Sequence, residues 1–263
     1  MNATAIRAKQ TQSRAKIRKQ QIPSFHRIEL LLGLLFLVAV SSLFLGYITQ
    51  SSTFRVKRVL FEGAHILPET DILAAAGITT EDNIIFLNTD SVKTRVEALP
   101  YVKRCDVKRM YPDEVLLRIV ERKAIATLMV NNHLYEIDRE NVVLRELSPF
   151  AAQTGPLITN LPGVGVMDAG EPIESPTLCS ALELWENVKE LSFVKEVTLS
   201  EISAAHENDL RMYFNELPYE IRWGRSDFAK QAARFEVLWN EMNGNIPCEY
   251  YLDLRFDADL VCK

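Results

Sequence analysis

The sequence predicts an α+β protein behind a single transmembrane helix, and three observations carry that prediction. Residues 30–54 contain no charged side chain. Residues 54–122 read strand, helix, helix, strand, strand. Residues 123–263 alternate short β-rich runs with two amphipathic helices, the pattern of a mixed sheet with helices packed on it.

The apolar run Leu30–Ile48 would span roughly 28 Å as a helix at ~1.5 Å per residue, about the thickness of a bilayer core. We take 29–49 as the span and 1–28 as a basic tail. Arg7, Lys9, Arg14, Lys16, Arg18, Lys19 and Arg27 precede it, with no acid before Glu29. Cytoplasmic flanks are enriched in Lys and Arg, so the N-terminus is expected inside and the remainder outside. A cleaved signal peptide is the alternative. Its apolar core would be shorter, about 7–15 residues, and would end at a small-residue site that is missing here. Of the 30 basic and 35 acidic residues, seven and one precede Arg55, leaving 23 and 34, a net of −11. Such an acidic remainder repels phosphate and argues against nucleic acid as a partner.

The first folded segment begins with the β-rich run Phe54–Phe61, closed by Gly63. Leu67–Gly77 reads as a short helix with Pro and acids in its first turn and Gly at its end. An apolar connector, Asn83–Asn88, follows. Asn88 or Thr89 caps a second helix, which presents Val92, Val96 and Leu99 on one face and stops at Pro100. Tyr101–Arg109 alternates as a strand, Met110–Asp113 turns, and Val115–Glu121 returns.

Beyond Lys123, the runs Ile125–Val130, Leu134–Ile137 and Val142–Leu144 read as strands. Pro176–Leu191 has helical apolar spacing through Leu178, Ala181, Leu182, Trp185 and Val188. Phe193–Leu199 reads as a strand. Asp209–Asn215 and Tyr219–Trp223 flank a hairpin at Glu216–Pro218. Ser226 is expected to cap a helix facing inward through Phe228, Ala232, Phe235, Leu238, Trp239 and Met242. Glu249–Leu254 and Asp259–Cys262 are the last strands. Trp185 and Trp239 are expected in the core.

The inventory of reactive groups is poor. There is no G-x-S-x-G, P-loop or H-E-x-x-H motif. Gly163-Val-Gly165 lacks the helix start that a dinucleotide site requires. His26, His65, His133 and His206 are scattered. Asp138 and Glu140 read as a solvated hairpin tip. Asp253 and Asp257 pair on paper, far from any other acid or base. No catalytic residue, metal ligand or cofactor is expected. Cys105, Cys179, Cys248 and Cys262 form no C-x-x-C motif. In an oxidising compartment Cys248–Cys262 is the most plausible bridge, and otherwise the four are small apolar residues.

At this point the residues resemble a family. Phe54-x-Val-x-x-Val59 with Gly63, Asn83-Ile-Ile-Phe86 with Asp90, Leu99-Pro-Tyr-Val102 and Val107-x-Arg-x-Tyr-Pro112 resemble the POTRA domain of the FtsQ/DivIB bacterial cell-division proteins. Glu121-Arg122 followed by Ala124-Ile-Ala126 resembles the passage out of that domain. Leu134–Leu144, Leu161-Pro-Gly163 and Leu252-Asp-Leu-Arg-Phe256 resemble motifs of the following β domain. The resemblance implies a POTRA domain over 54–122 and a β domain over 123–263. It implies a non-enzymatic scaffold in the inner membrane at the division septum, linking early and late division proteins. The implied partners are bitopic proteins resembling FtsB and FtsL, with other divisome components at the POTRA domain.

Carried over by motif, the partner-binding positions are Tyr250, Tyr251, Leu252, Asp253, Leu254, Arg255 and Phe256. They are expected on an exposed closing strand that no long tail covers. Alternative readings are a membrane-anchored enzyme of envelope metabolism and a POTRA-bearing secretion component. The second would carry repeated POTRA units and a barrel, and only one unit is found.

Overall fold

The computed structural model describes residues 24–224, 227–256 and 260–263. Helix α1 runs Ser24–Gln50. Its stretch Ile28–Gln50 is long and apolar enough to cross a membrane, with mean hydropathy 2.5 and none of it buried in the protein.

In the unit that begins at Arg55, β1 (Arg58–Glu62), α2 (Glu69–Ala76), α3 (Thr89–Glu97), β2 (Val102–Met110) and β3 (Glu114–Glu121) follow in the order the sequence predicts. Each helix is delimited by its own residues. Pro68 precedes α2, and Gly77 ends it in the left-handed conformation, φ 59°, where its N–H reaches the Leu73 carbonyl. The Asn88 side chain accepts the Ser91 N–H at 3.0 Å and so caps α3. The sheet order is β1-β3-β2, with β1 parallel and β2 antiparallel to β3. Ile72, Ala76, Val92, Val96, Cys105, Val115 and Leu117 are buried in this part. Glu121 ends β3 by binding a loop: its carboxylate accepts the N–H groups of His65, Ile66 and Leu67, each at 2.9 Å. Burial works to raise this carboxyl, but those three donors outweigh it and hold it below the usual carboxylate range.

A nine-stranded sheet follows. Its strands are β4 (Ala126–Val130), β5 (His133–Ile137), β6 (Val143–Leu147), β7 (Leu157–Thr159), β8 (Leu199–His206), β9 (Asp209–Phe214), β10 (Glu220–Trp223), β11 (Tyr251–Asp253) and β12 (Val261–Cys262). Their spatial order is β12-β11-β10-β9-β8-β7-β4-β5-β6. Helices α4 (Pro176–Val188), α5 (Ser192–Glu196) and α6 (Phe228–Glu241) complete the chain. Their apolar faces join the strands in one core, which holds Leu178, Phe193, Trp223, Phe235 and Trp239. Phe193 and Phe235 meet edge to face at 4.6 Å, and Phe235 also meets Trp239 at 5.9 Å. Trp185 is only partly buried against this core.

Three expectations change. Residues Phe193–Leu199 do not form one strand: α5 takes the first part and β8 starts at Leu199. The β-branched run is overridden by packing of Phe193 on α6 and by the Ser192 N–H, which donates to Glu236 at 2.9 Å. Ser226 lies outside the described residues, and Asp227 is the N-cap of α6, accepting the Lys230 N–H at 3.2 Å. Asp138 is no solvated tip. Its side chain is 5% exposed, and Arg122 Nη1 reaches it at 2.6 Å and Glu140 at 2.7 Å.

That last group joins the two sheets. The Arg122 N–H donates to the Tyr101 carbonyl at 2.8 Å. Tyr101 Oη donates to buried Glu136 at 2.8 Å, and Arg145 and Thr154 also donate to that carboxylate, at 2.7 and 2.8 Å. Burial, then the hydrogen bond and charge of Glu136, push the Tyr101 hydroxyl up to about 12.

Candidate docking edge

Strand β11 is held by alternation. Leu252 is buried on the core side, and Leu254 just past the strand is buried likewise. Tyr251 and Asp253 take the opposite face. There they meet side chains from β9 and β10 in a layer of paired charges. Arg211 Nη2 donates to Asp209 at 2.7 Å, and Arg222 Nε to Glu220 at 2.6 Å. Tyr213 Oη donates to Glu220 at 2.6 Å. Arg255 Nη2 donates to Asp253 at 2.6 Å and its Nη1 to Asp209 at 3.4 Å. The Arg222 guanidinium lies 4.0 Å above the centre of the Tyr251 ring, a cation–π contact.

The electrostatics follow from the pairing. Burial acts to raise the carboxyls of Asp253 and Glu220. Hydrogen bonds from Arg255 to the first, and from Tyr213 and Arg222 to the second, outweigh it, so both stay below the usual carboxylate range. The Arg211 hydrogen bond depresses Asp209. Burial and the Glu220 hydrogen bond raise the Tyr213 hydroxyl. These acids are committed as anions to guanidinium partners. Asp257, the other half of the carboxylate pair considered from sequence, lies outside the described residues.

The seven positions expected at the partner surface therefore separate. Leu252 and Leu254 are core residues. Asp253 is buried and bound by Arg255. Tyr251 is half-buried under Arg222. Tyr250 at 65% and Phe256 at 52% exposure are open, and Arg255 is exposed beside them.

The strand is also not the free edge. Strand β11 lies between β10, parallel to it, and β12, antiparallel. Leu252 faces Cys262 and Asp253 faces Val261. The Lys263 carbonyl accepts N–H groups from Glu249, Tyr250 and Tyr251 at 3.0, 2.6 and 3.3 Å, and the Lys263 N–H returns to the Tyr251 carbonyl at 3.1 Å. Residues 260–263 are enough to cover β11, so among the described residues the outermost strand on this side of the sheet is β12. Cys248 and Cys262 are joined as a disulfide across this pairing.

The geometry so far is a membrane-length helix, a β-α-α-β-β unit and a nine-stranded sheet ending in a short open strand. Two family models match it: "POTRA domain, FtsQ-type" over residues 54–122, and "Cell division protein FtsQ/DivIB, C-terminal" over residues 126–255. The chain belongs to the FtsQ/DivIB family. Relatives named cell division protein FtsQ agree with this. The one from Syntrophotalea carbinolica is 24% identical over 215 residues, covering 81% of this chain and 75% of its own length. That from Geotalea daltonii is 23% identical over 217 residues, covering 82% and 78%. That from Caulobacter vibrioides is 29% identical over 188 residues, covering 68% and 61%.

For this FtsQ/DivIB chain, the C-terminal family match stops at Arg255 and leaves β12 outside it. The β11–β12 register is thus read from the structure, and the disulfide joins Cys248 to Cys262, the pair named as the most plausible bridge from sequence. Alternation in Glu249–Leu254 was the available signal for the buried positions. Asp259–Cys262 reads as a strand in the sequence, and the structure gives β12 at Val261–Cys262, but its pairing on β11 has no local signal because a two-residue strand is too short to show a period.

Proposed function

We propose that this FtsQ/DivIB-family protein is a non-enzymatic scaffold of the division machinery, anchored by α1 and binding bitopic partners outside the cytoplasm. The observation that carries the reading is the open β12 edge at the end of the sheet. Unpaired backbone N–H and C=O groups there can accept an extended partner segment as a further strand. Exposed Tyr250, Arg255 and Phe256 lie beside it and supply side chains of the types that dominate protein interfaces. Leu252 and Leu254 act from beneath by fixing β11, while Tyr251 and Asp253 hold the charged layer that orients Arg255.

The non-enzymatic reading is supported by the same layer. Its acids are neutralised by guanidinium groups rather than held unpaired in a cleft, where catalysis would need them. The seven-to-zero basic excess before Ile28 supports an inside N-terminus, and a closed Cys248–Cys262 bond is of the kind that persists outside the cytoplasm. On this reading, residues 54–122 are a POTRA module that brings the protein to the septum and interacts with other divisome components. Residues 123–263 are the β module, which docks proteins resembling FtsB and FtsL.

The test is deletion of residues 54–122 from a fluorescently tagged full chain. Septal localisation is expected to be lost while the remaining β module still binds its partner. Normal septal localisation of the deletion protein would remove the recruitment role from that module.

A further inference from the structure

Strand β12 has little of its own to hold it. It is two residues long, and Val261, Cys262 and Lys263 all keep exposed side chains. Its backbone bonds to β11 lie at the rim of the sheet, where such bonds open readily unless apolar burial backs them. Apolar backing comes from Leu260, half-buried just before the strand, and the stronger tie is covalent. Cys262 is tied to Cys248, a residue 14 positions earlier that is buried in the main core cluster. The two Cα atoms are 5.3 Å apart, within the ordinary range for a bridge. The bond thus fastens a weakly anchored strand to the core, where every other strand of this sheet is held by buried apolar side chains of its own.

We infer that the Cys248–Cys262 disulfide is a redox gate on the docking edge: β12 is in place when the bond is closed and leaves β11 when it is open. The inference rests on β12 being the docking edge as far as the partner is concerned, but the strand's own behaviour is independent of that. Closure follows ordinary thiol–disulfide exchange. One cysteine thiolate attacks the disulfide of a dithiol–disulfide oxidant, and a mixed disulfide forms as one oxidant thiolate leaves. The second cysteine thiolate then displaces the other. The two thiols of the protein lose two protons and two electrons, and the oxidant's disulfide gains them as a dithiol. A dithiol reductant reverses the step, attacking from the side of Cys262, which is exposed whereas Cys248 is buried. Opening also changes what a partner meets. The pairs Leu252–Cys262 and Asp253–Val261 and the three N–H groups bound to Lys263 are released, so β11 becomes the edge.

The experiment uses the full chain in detergent micelles, oxidised, reduced with dithiothreitol, and as Cys262→Ser. Hydrogen exchange of the amides at 249–251 and 261–263 is measured alongside those of β9 and β10, which report that the sheet remains folded. Affinity for the soluble ectodomain of the FtsB-like partner from the same organism is measured in parallel. Exchange at 249–251 and Lys263 is expected to rise at least tenfold on reduction and in Cys262→Ser, with β9 and β10 unchanged and affinity falling at least tenfold. Protection that survives both treatments overturns the gate, whatever the affinity. Lost protection in a protein that binds no partner even when oxidised supports the gate and removes the docking reading instead.

Discussion

Replacing Arg122 by Met tests the joint between the two sheets. The Met side chain keeps most of the apolar stem and removes the guanidinium that spans Asp138 and Glu140 at 2.6 and 2.7 Å. Taking one partner from a buried ion pair typically costs about 3–5 kcal/mol, because the other charge is left without compensation. Here the Arg122 and Asp138 side chains are only 15% and 5% exposed, so the pair qualifies as buried. Asp138 also accepts N–H groups from Glu140 and Val142, each at 2.9 Å, and these remain in the variant. Glu140 is about half exposed and regains water. The loss therefore falls at the lower end, about 3 kcal/mol. With a urea slope of about 2–3 kcal/mol per molar, the midpoint should drop by roughly 1 M. Tryptophan fluorescence is a suitable probe, since Trp185, Trp223 and Trp239 all lie beyond Lys123 and report the nine-stranded sheet. Asp138→Asn in the Arg122→Met background keeps a backbone acceptor without the charge. It should recover about 1 kcal/mol or more, a coupling measurable as a double-mutant cycle. A midpoint shift below roughly 0.2 M, or no recovery in the double variant, would refute a buried Arg122–Asp138 joint.

Two further outcomes follow from the geometry. Asp209, Glu220 and Asp253 have folded-state values held below the unfolded range of about 3.9–4.3, so their stabilisation is present above that range and lost as pH falls through the folded values. Thermal midpoints should be flat from neutral pH to about 5 and fall below about 4, whereas a decline already complete at pH 5 would contradict the paired layer. Phe235→Ala removes a fully buried ring at the meeting of Phe193, Trp223 and Trp239 and should cost about 3–5 kcal/mol in chemical unfolding, with under 1 kcal/mol arguing against this core.

The first folded unit was legible because each boundary carries its own chemistry. Pro68 and Gly77 bracket α2, Asn88 caps α3, and Pro100 follows it, so local signals and the final fold agree. The hairpin β9–β10 and the apolar face of α6 were legible by period for the same reason, except for Met242, which falls past the helix end and is exposed. The rest depended on partners far away in sequence. Phe193 is helical because α6 receives its ring, and β7 is three residues long and recognisable only from β4 and β8 on either side. Asp138 looked like a hairpin tip because nothing near it in sequence announces Arg122, 16 residues away. In the candidate site, alternation along a strand lets only half of its side chains face outward, as Leu252 and Leu254 show by being buried. What moved the edge was Lys263, whose backbone groups bind Tyr251 and leave β11 in the interior of the sheet.

The docking edge itself can be tested by one substitution. Val261 pairs with Asp253, and the Lys263 N–H donates to Tyr251, so residues 261 and 263 direct their backbone groups toward β11. By alternation, Leu260 and Cys262 direct theirs outward. Leu260→Pro removes an outward N–H and leaves both inward bonds and the disulfide in place, and Leu260→Ala controls for the side chain, which is half-buried against the core. The affinity of the full chain in micelles for the FtsB-like ectodomain should fall at least tenfold, about 1.4 kcal/mol, in Leu260→Pro and no more than a few-fold in Leu260→Ala. Equal affinity of the two variants and the parent, with the sheet folded in all three, would contradict strand addition at β12.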